Sequence, residues 1–120
     1  MPNPFVHIEL MSTDVDKSKA FYGKLFEWQL EDMPMPDMTY TMIKVGEGTG
    51  GGLFKNPMPN APSTWVPYVD VDDLKAATAK AKSLGATVHK ENVEVGDHGT
   101  FSIISDPTGA MLGLWEQKKS

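Results

Sequence analysis

From Phe5 to Met11 apolar and polar residues alternate, which predicts a strand with Val6, Ile8 and Leu10 on one face and His7, Glu9 and Met11 on the other. Ser12-Thr13-Asp14 then offers helix caps, and the spacing predicts a helix over residues 15–25. Phe21, Tyr22 and Leu25 fall on one stripe of it, while Lys17, Lys19 and Lys24 stay in solvent. A second strand is expected over residues 26–31 and a third over 39–45, where Tyr40, Met42 and Lys44 face away from Thr41, Ile43 and Val45. The proline-punctuated stretch 33–37 between them reads as loop. A glycine-rich turn over 46–51 leads to a short fourth strand over 52–55.

The second half repeats this plan. Residues 56–63, rich in proline and asparagine, read as a linker. A strand over 65–71 follows, then Asp72-Asp73 as a cap, and a helix with Leu74, Ala77, Ala81 and Leu84 at helical spacing that stops at Gly85. Lys75, Lys80 and Lys82 make a solvated face. Strands are expected over 87–90 and 100–105, with a polar loop between them, and the chain closes on the turn Asp106-Pro-Thr-Gly and the strand to Glu116. An offset of 59 lays Asp14-Val15 on Asp73-Leu74 and Leu25 on Leu84. Near the end of each half the offset becomes 61, so that Gly52-Leu53-Phe54 meets Gly113-Leu114-Trp115. One plan twice over is an internal repeat. Gly113 inside a strand marks a bulge or the close approach of another group.

Composition narrows the function classes. Hydrophobic residues make up 40% and charged residues 22%, as in a globular domain. A net charge of -5 provides no basic field for nucleic acid or an anionic membrane. The absence of cysteine removes disulfides, thiolate nucleophiles and zinc–cysteine sites. With no signal-like N-terminus and no membrane-length apolar run, a cytoplasmic location is expected. The run Gly46–Gly52 lacks the lysine and following helix of a phosphate loop, and no serine sits in a nucleophile elbow.

Paired βαβββ units, an aspartate leading to Phe21-Tyr22 in the first helix, Val71-Asp72-Asp73 before the second and Asp106-Pro-Thr-Gly before the last strand together resemble the vicinal oxygen chelate superfamily. That superfamily includes glyoxalase I, bleomycin-resistance proteins, fosfomycin-resistance enzymes and extradiol dioxygenases. The resemblance spans residues 5–116 and implies an α+β fold in which two βαβββ modules form a cup-shaped mixed sheet. The chain is then a single domain, with module one over 5–55, the linker over 56–63 and module two over 64–117.

The resemblance also assigns four metal-ligand positions, on the first and last strand of each module. Here they hold His7, Gly52, Val66 and Gly113. Only His7 carries a donor, and a catalytic zinc or iron wants three or four protein ligands. No cofactor is therefore expected, with a divalent metal held by His7 and non-standard ligands such as Glu9 as the alternative. His7 and Glu9 lie about 7 Å apart on one strand face. They can bind a polar group or act as acid and base, or be a leftover histidine beside a solvated glutamate. Val66, Tyr68, Met111, Gly113 and Trp115, with Phe54 as the counterpart of Trp115, are expected to face the cup. They form either an apolar ligand pocket or a filled core. His89 and His98 are expected at the surface, His98 in a loop able to cover the cup mouth.

The expected function is binding of a small apolar or aromatic molecule at His7, Glu9, Phe54, Val66, Tyr68, Met111, Gly113 and Trp115. The alternatives are a lyase, isomerase or dioxygenase of the glyoxalase type, and a structural or regulatory dimer with a filled cup. Edge strands and the resemblance both imply a homodimer.

Overall fold

The structure, a computed structural model, describes residues 3–34, 38–58 and 60–118. Module one is β1 (Phe5–Ser12), α1 (Val15–Leu25), β2 (Gln29–Pro34), β3 (Thr39–Lys44) and β4 (Gly51–Lys55). Module two is β5 (Thr64–Asp70), α2 (Leu74–Ser83), β6 (Thr87–Val95), β7 (Gly99–Ser105) and β8 (Met111–Gln117). The α+β class and the duplicated βαβββ order follow the sequence expectation. The chain parts into two compact units, His7–Val66 and a second that joins the N-terminal residues to Pro67 and beyond. The N-terminal residues belong with the second unit because Asp70 N–H donates to Pro4 O and the Asn3 side chain donates to Asp70 O.

Within module one the strands run β2-β3-β4-β1, with β1 parallel to β4 and the other pairs antiparallel. Module two repeats this as β6-β7-β8-β5. The registers are equivalent: Glu9 pairs with Gly52 as Tyr68 pairs with Gly113. Met42 lies opposite Gly52 as Ile103 lies opposite Gly113. The 59- and 61-residue offsets are thus structural equivalences.

Each helix starts on an aspartate whose carboxylate accepts an orphan N–H, Asp14 from Lys17 and Asp73 from Ala76. Gly85 ends α2 at a positive φ of 101°. The helix-side face of module one packs Leu10, Ile43 and Leu53 against Val15, Tyr22, Trp28 and Leu30. Module two packs Leu74, Ile104 and Leu114 against Ala77, Ala81 and Val88. The Asp106 carboxylate gathers the Thr108 hydroxyl and the N–H groups of Thr108 and Ala110, which hold it below the usual carboxylate range and fix the turn before β8.

Several expectations need correcting. Phe21 and Leu25 are exposed, and only Tyr22 of the α1 stripe packs inward. Leu84 is likewise exposed, and the buried place on α2 goes to Thr78, whose hydroxyl bonds Leu74 O and Ser102 Oγ. Val6 and Ile8 are exposed while Glu9 and Met11 of the opposite face are buried. The second strand starts at Gln29 and takes in Met33 and Pro34, where a loop is expected from the prolines. Pro34 is tolerated because β2 is the edge of its module and needs no N–H there. Residues 35–37 of that predicted loop lie outside the described residues. β6 runs on to Val95 through the predicted polar loop by means of two register shifts, with Asn92 at a positive φ of 52°. Among the described residues, no helix is long and apolar enough to cross a membrane.

Candidate functional site

On the sheet face turned away from α1, period-two alternation places His7, Glu9 and Met11 of β1, Tyr40 and Met42 of β3, and Gly52 and Phe54 of β4. Pairing across the β1–β4–β3 ladder then brings Glu9, Gly52 and Met42 into one row. Tyr40 lies two residues from Met42 on the same face, and its hydroxyl reaches back over Gly52. A Cβ built on Gly52 would fall 1.6 Å from the Tyr40 hydroxyl oxygen. A side chain at 52 would therefore displace the outer end of Tyr40.

That hydroxyl joins two of the predicted site residues. Tyr40 Oη donates to Glu9 Oε2 at 2.9 Å, and His7 Nε2 lies 2.8 Å from the same Oη and 3.4 Å from Glu9 Oε2. A phenol has one proton, and Glu9 receives it. The His7 contact consequently assigns a proton to Nε2, which donates to Tyr40. Burial, followed by the charge and hydrogen bond of Glu9, pushes the Tyr40 phenol well above the usual tyrosine range. It stays a neutral donor throughout the physiological range. Glu9, only 7% exposed, meets the requirement that a buried carboxylate be partnered. The His7 ring is part-exposed and borders an open cleft of about 760 Å³ that runs over Gln29, Met42 and Lys44 to the glycine turn. The Phe54 and Tyr40 ring centroids are 6.1 Å apart.

The equivalent face of module two is rich in rings. Tyr68 lies opposite Gly113, and a Cβ on Gly113 would fall 2.3 Å from the Tyr68 ring. Tyr68 meets Phe101 edge to face at 5.9 Å, and Phe101 pairs with Trp115 across the β7–β8 ladder. Tyr68 is only 2% exposed and Val66 is fully buried, whereas Met111 and Trp115 keep some surface. The site residues predicted from sequence thus divide: His7, Glu9 and Phe54 gather around Tyr40, and Tyr68, Gly113 and Trp115 gather around Phe101. Tyr40 and Phe101 were missed, although strand alternation places both on these faces. His89 is exposed and bonds Ser105 Oγ, and His98 is exposed in the β6–β7 turn.

Metal chemistry of the type the resemblance implies does not fit these residues. Gly52, Val66 and Gly113 offer no side-chain donor, and a tyrosine ring lies over each of the two glycines. The remaining donor position, His7, is engaged with Tyr40. Among the described residues no group of three or more His, Asp or Glu side chains is placed to hold a metal.

Comparison with known proteins agrees with the fold. The family model described as "Glyoxalase/Bleomycin resistance protein/Dioxygenase superfamily" matches residues 5–114. "Putative glyoxylase CFP32", from Mycobacterium bovis and from Mycobacterium tuberculosis, is 34% identical over 118 residues, covering 93% of this chain and 45% of theirs. The chain therefore spans about half the length of those curated relatives. Among solved structures, hypothetical protein BH1468 from Bacillus halodurans superposes with a TM-score of 0.72 at 16% identity, covering 100% of this chain and 98% of that one. Methylmalonyl-CoA epimerase from Mycobacterium tuberculosis superposes with a TM-score of 0.69 at 16% identity, covering 96% and 88%. These structural matches establish the fold. The chain belongs to the Glyoxalase/Bleomycin resistance protein/Dioxygenase superfamily.

Proposed function

We propose that this chain is a small-molecule-binding domain of the glyoxalase and bleomycin-resistance type that does not build the family's metal centre. The observation that carries the reading is the seating of the Tyr40 hydroxyl over Gly52, in the space a ligand glutamate would need. His7, held by Tyr40 and Glu9, is then the polar handle at the cleft, and the half-buried Phe54, whose ring lies beside Tyr40, is an apolar surface on the same face. A flat, mainly apolar molecule with one or two hydrogen-bonding groups suits that combination.

A second reading rests on the same hydrogen-bonded trio. Histidine, tyrosine and glutamate in contact can move a proton, which is the chemistry of a lyase or isomerase acting by acid and base. Binding without turnover favours the first reading, and turnover abolished by His7→Ala favours the second.

A thermal-shift panel of metabolites and antibiotics tests the proposal, because a ligand that binds only the native state raises its stability. Hits are then measured by calorimetry. Affinity should fall about tenfold or more in His7→Ala and in Phe54→Ala, the loss expected for a contact residue. Unchanged affinity in both variants would remove this face as the binding site.

A further inference from the structure

Strand register gives the module-one cleft a floor. One residue beyond the Ile8–Gly51 and Ile43–Gly51 pairs, His7 of β1, Gly50 just before β4, Lys44 of β3 and Gln29 of β2 fall into one row. It lies two residues along from the row of Glu9, Gly52, Met42 and Glu31. Apart from Ile43 O, nothing lies within 4 Å of a Cβ built on Gly50. The two strand steps from His7 to Lys44, about 9.5 Å, therefore carry no side chain between them. Gly51 beside it is demanded by backbone, because a Cβ there would overlap Ile8 O. A flat ring can lie on this bare stretch.

The repeat supplies an internal control. In module two the same row holds Val66, Met111, Ser105 and Thr87, so a methionine stands where module one has Gly50. The βαβββ plan does not itself leave the floor empty.

The charges of the cleft do not balance. Lys44 Nζ is 2.7 Å from Glu31 Oε2, so it leans away from Gln29, its direct cross-strand neighbour, toward the next row. His7 Nε2 has the Glu9 carboxylate at 3.4 Å. Each basic group of the cleft thus has its own carboxylate. Glu27, which lines the cleft two residues before Gln29, has no such counterpart: among the described residues no ion pair or hydrogen bond engages its carboxylate. Space around it is open, since a Cβ on Gly46 or on Gly48 of the facing turn would meet nothing within 4 Å. In module two the residues before Thr87 are Gly85 and Ala86, which carry no charge.

Resting on the reading of this cleft as the ligand site, we infer that its ligand is cationic. The flat ring lies on the Gly50–Gly51 floor between His7 and Lys44, and a protonated amine attached to the ring faces Glu27. Glu27 is then the residue that selects the ligand's charge. The chain's net charge of -5 favours a cation at longer range, so the test must separate the local carboxylate from the general field.

Three probes share one ring and differ in charge: 2-naphthylmethylamine, 2-naphthylmethanol and 2-naphthoate. Each is titrated at physiological ionic strength into nitrogen-15-labelled full chain, and into Glu27→Gln and Glu94→Gln. Glu94 is an exposed carboxylate of β6, so its variant removes the same charge from module two. The amine should shift amide signals of residues 46–51 and bind about tenfold or more tightly than the naphthoate. Glu27→Gln should weaken the amine about threefold to fivefold, the size of one exposed ion pair, and leave the alcohol unchanged. Glu94→Gln should change neither. Naphthoate bound in the cleft as tightly as the amine, or amine binding that ignores Glu27→Gln or falls equally in Glu94→Gln, overturns the inference and leaves the small-molecule reading standing. No shift at residues 46–51 with any of the three probes overturns both.

Discussion

Where module one sets Glu9 and Tyr40 around Gly52, module two sets Tyr68 and Phe101 around Gly113, on an equivalent register of strands. Both glycines stand at positions where metal enzymes of this superfamily carry a ligand, and in both a tyrosine takes the space. The chemistry differs. In module one the tip of Tyr40 covers the glycine and its hydroxyl ties His7 to a buried carboxylate. In module two the flank of Tyr68 covers the glycine, and its ring meets Phe101 edge to face. The equivalent positions of module two hold Val66, Tyr68 and Phe101, so the backbone plan does not itself dictate the residues of the trio. Buried polar groups are costly unless partnered, and the Tyr40 hydroxyl supplies a partner to the buried Glu9.

The contrast between tip and flank can be broken by substitution. Gly113→Glu should be the most damaging change. It drives a carboxylate into a Tyr68 ring that is 2% exposed, and urea denaturation should register a loss of about 3 kcal/mol or more. Gly113→Ala should cost about 2 kcal/mol by overpacking alone, since the ring atoms nearest the new methyl include the root of the Tyr68 ring. Gly52→Ala should cost less than Gly113→Ala, because the atom it meets is the outer end of Tyr40, which can swing aside. Equal costs at the two glycines would mean that the modules fill this space in the same way.

Deleting the hydroxyl probes the polar trio directly. Tyr40→Phe gives module one the residue that module two already has in Phe101. It leaves the buried Glu9 without its phenol donor, and should cost about 1–3 kcal/mol. Adding Glu9→Leu should recover part of that loss, because it removes the buried carboxylate that has lost a donor. If Tyr40→Phe alone is neutral, the hydroxyl contributes nothing to holding the trio.

Much of this fold could be read from the chain before any coordinates. The two aspartate caps, the stop at Gly85, the Asp106 turn and the repeat offsets are local signals, each carried by one or two residues whose backbone preference is strong. The expectation of a close approach at Gly113 was met by Tyr68. What the chain did not disclose depends on packing across strands. Phe21 and Leu25 have helical spacing, yet the stripe that meets the sheet is centred on Tyr22, and periodicity alone does not locate that centre. Tyr40 went unnoticed as a site residue because nothing adjacent to it is unusual. Its role appears only when β3, β4 and β1 stand side by side and its hydroxyl reaches Glu9 and His7. Pro34 read as a breaker, but an edge strand absorbs it.

The central proposal is that the chain does not build the metal centre of this superfamily, and metal titration tests it most directly. Chelator-treated protein is titrated by calorimetry with zinc, nickel and manganese, in parallel with His7→Ala, and the dialysed samples go to elemental analysis. The account predicts no stoichiometric, tightly held metal in the parent protein and no difference between it and His7→Ala. One tightly bound metal per chain, lost on His7→Ala, would contradict it.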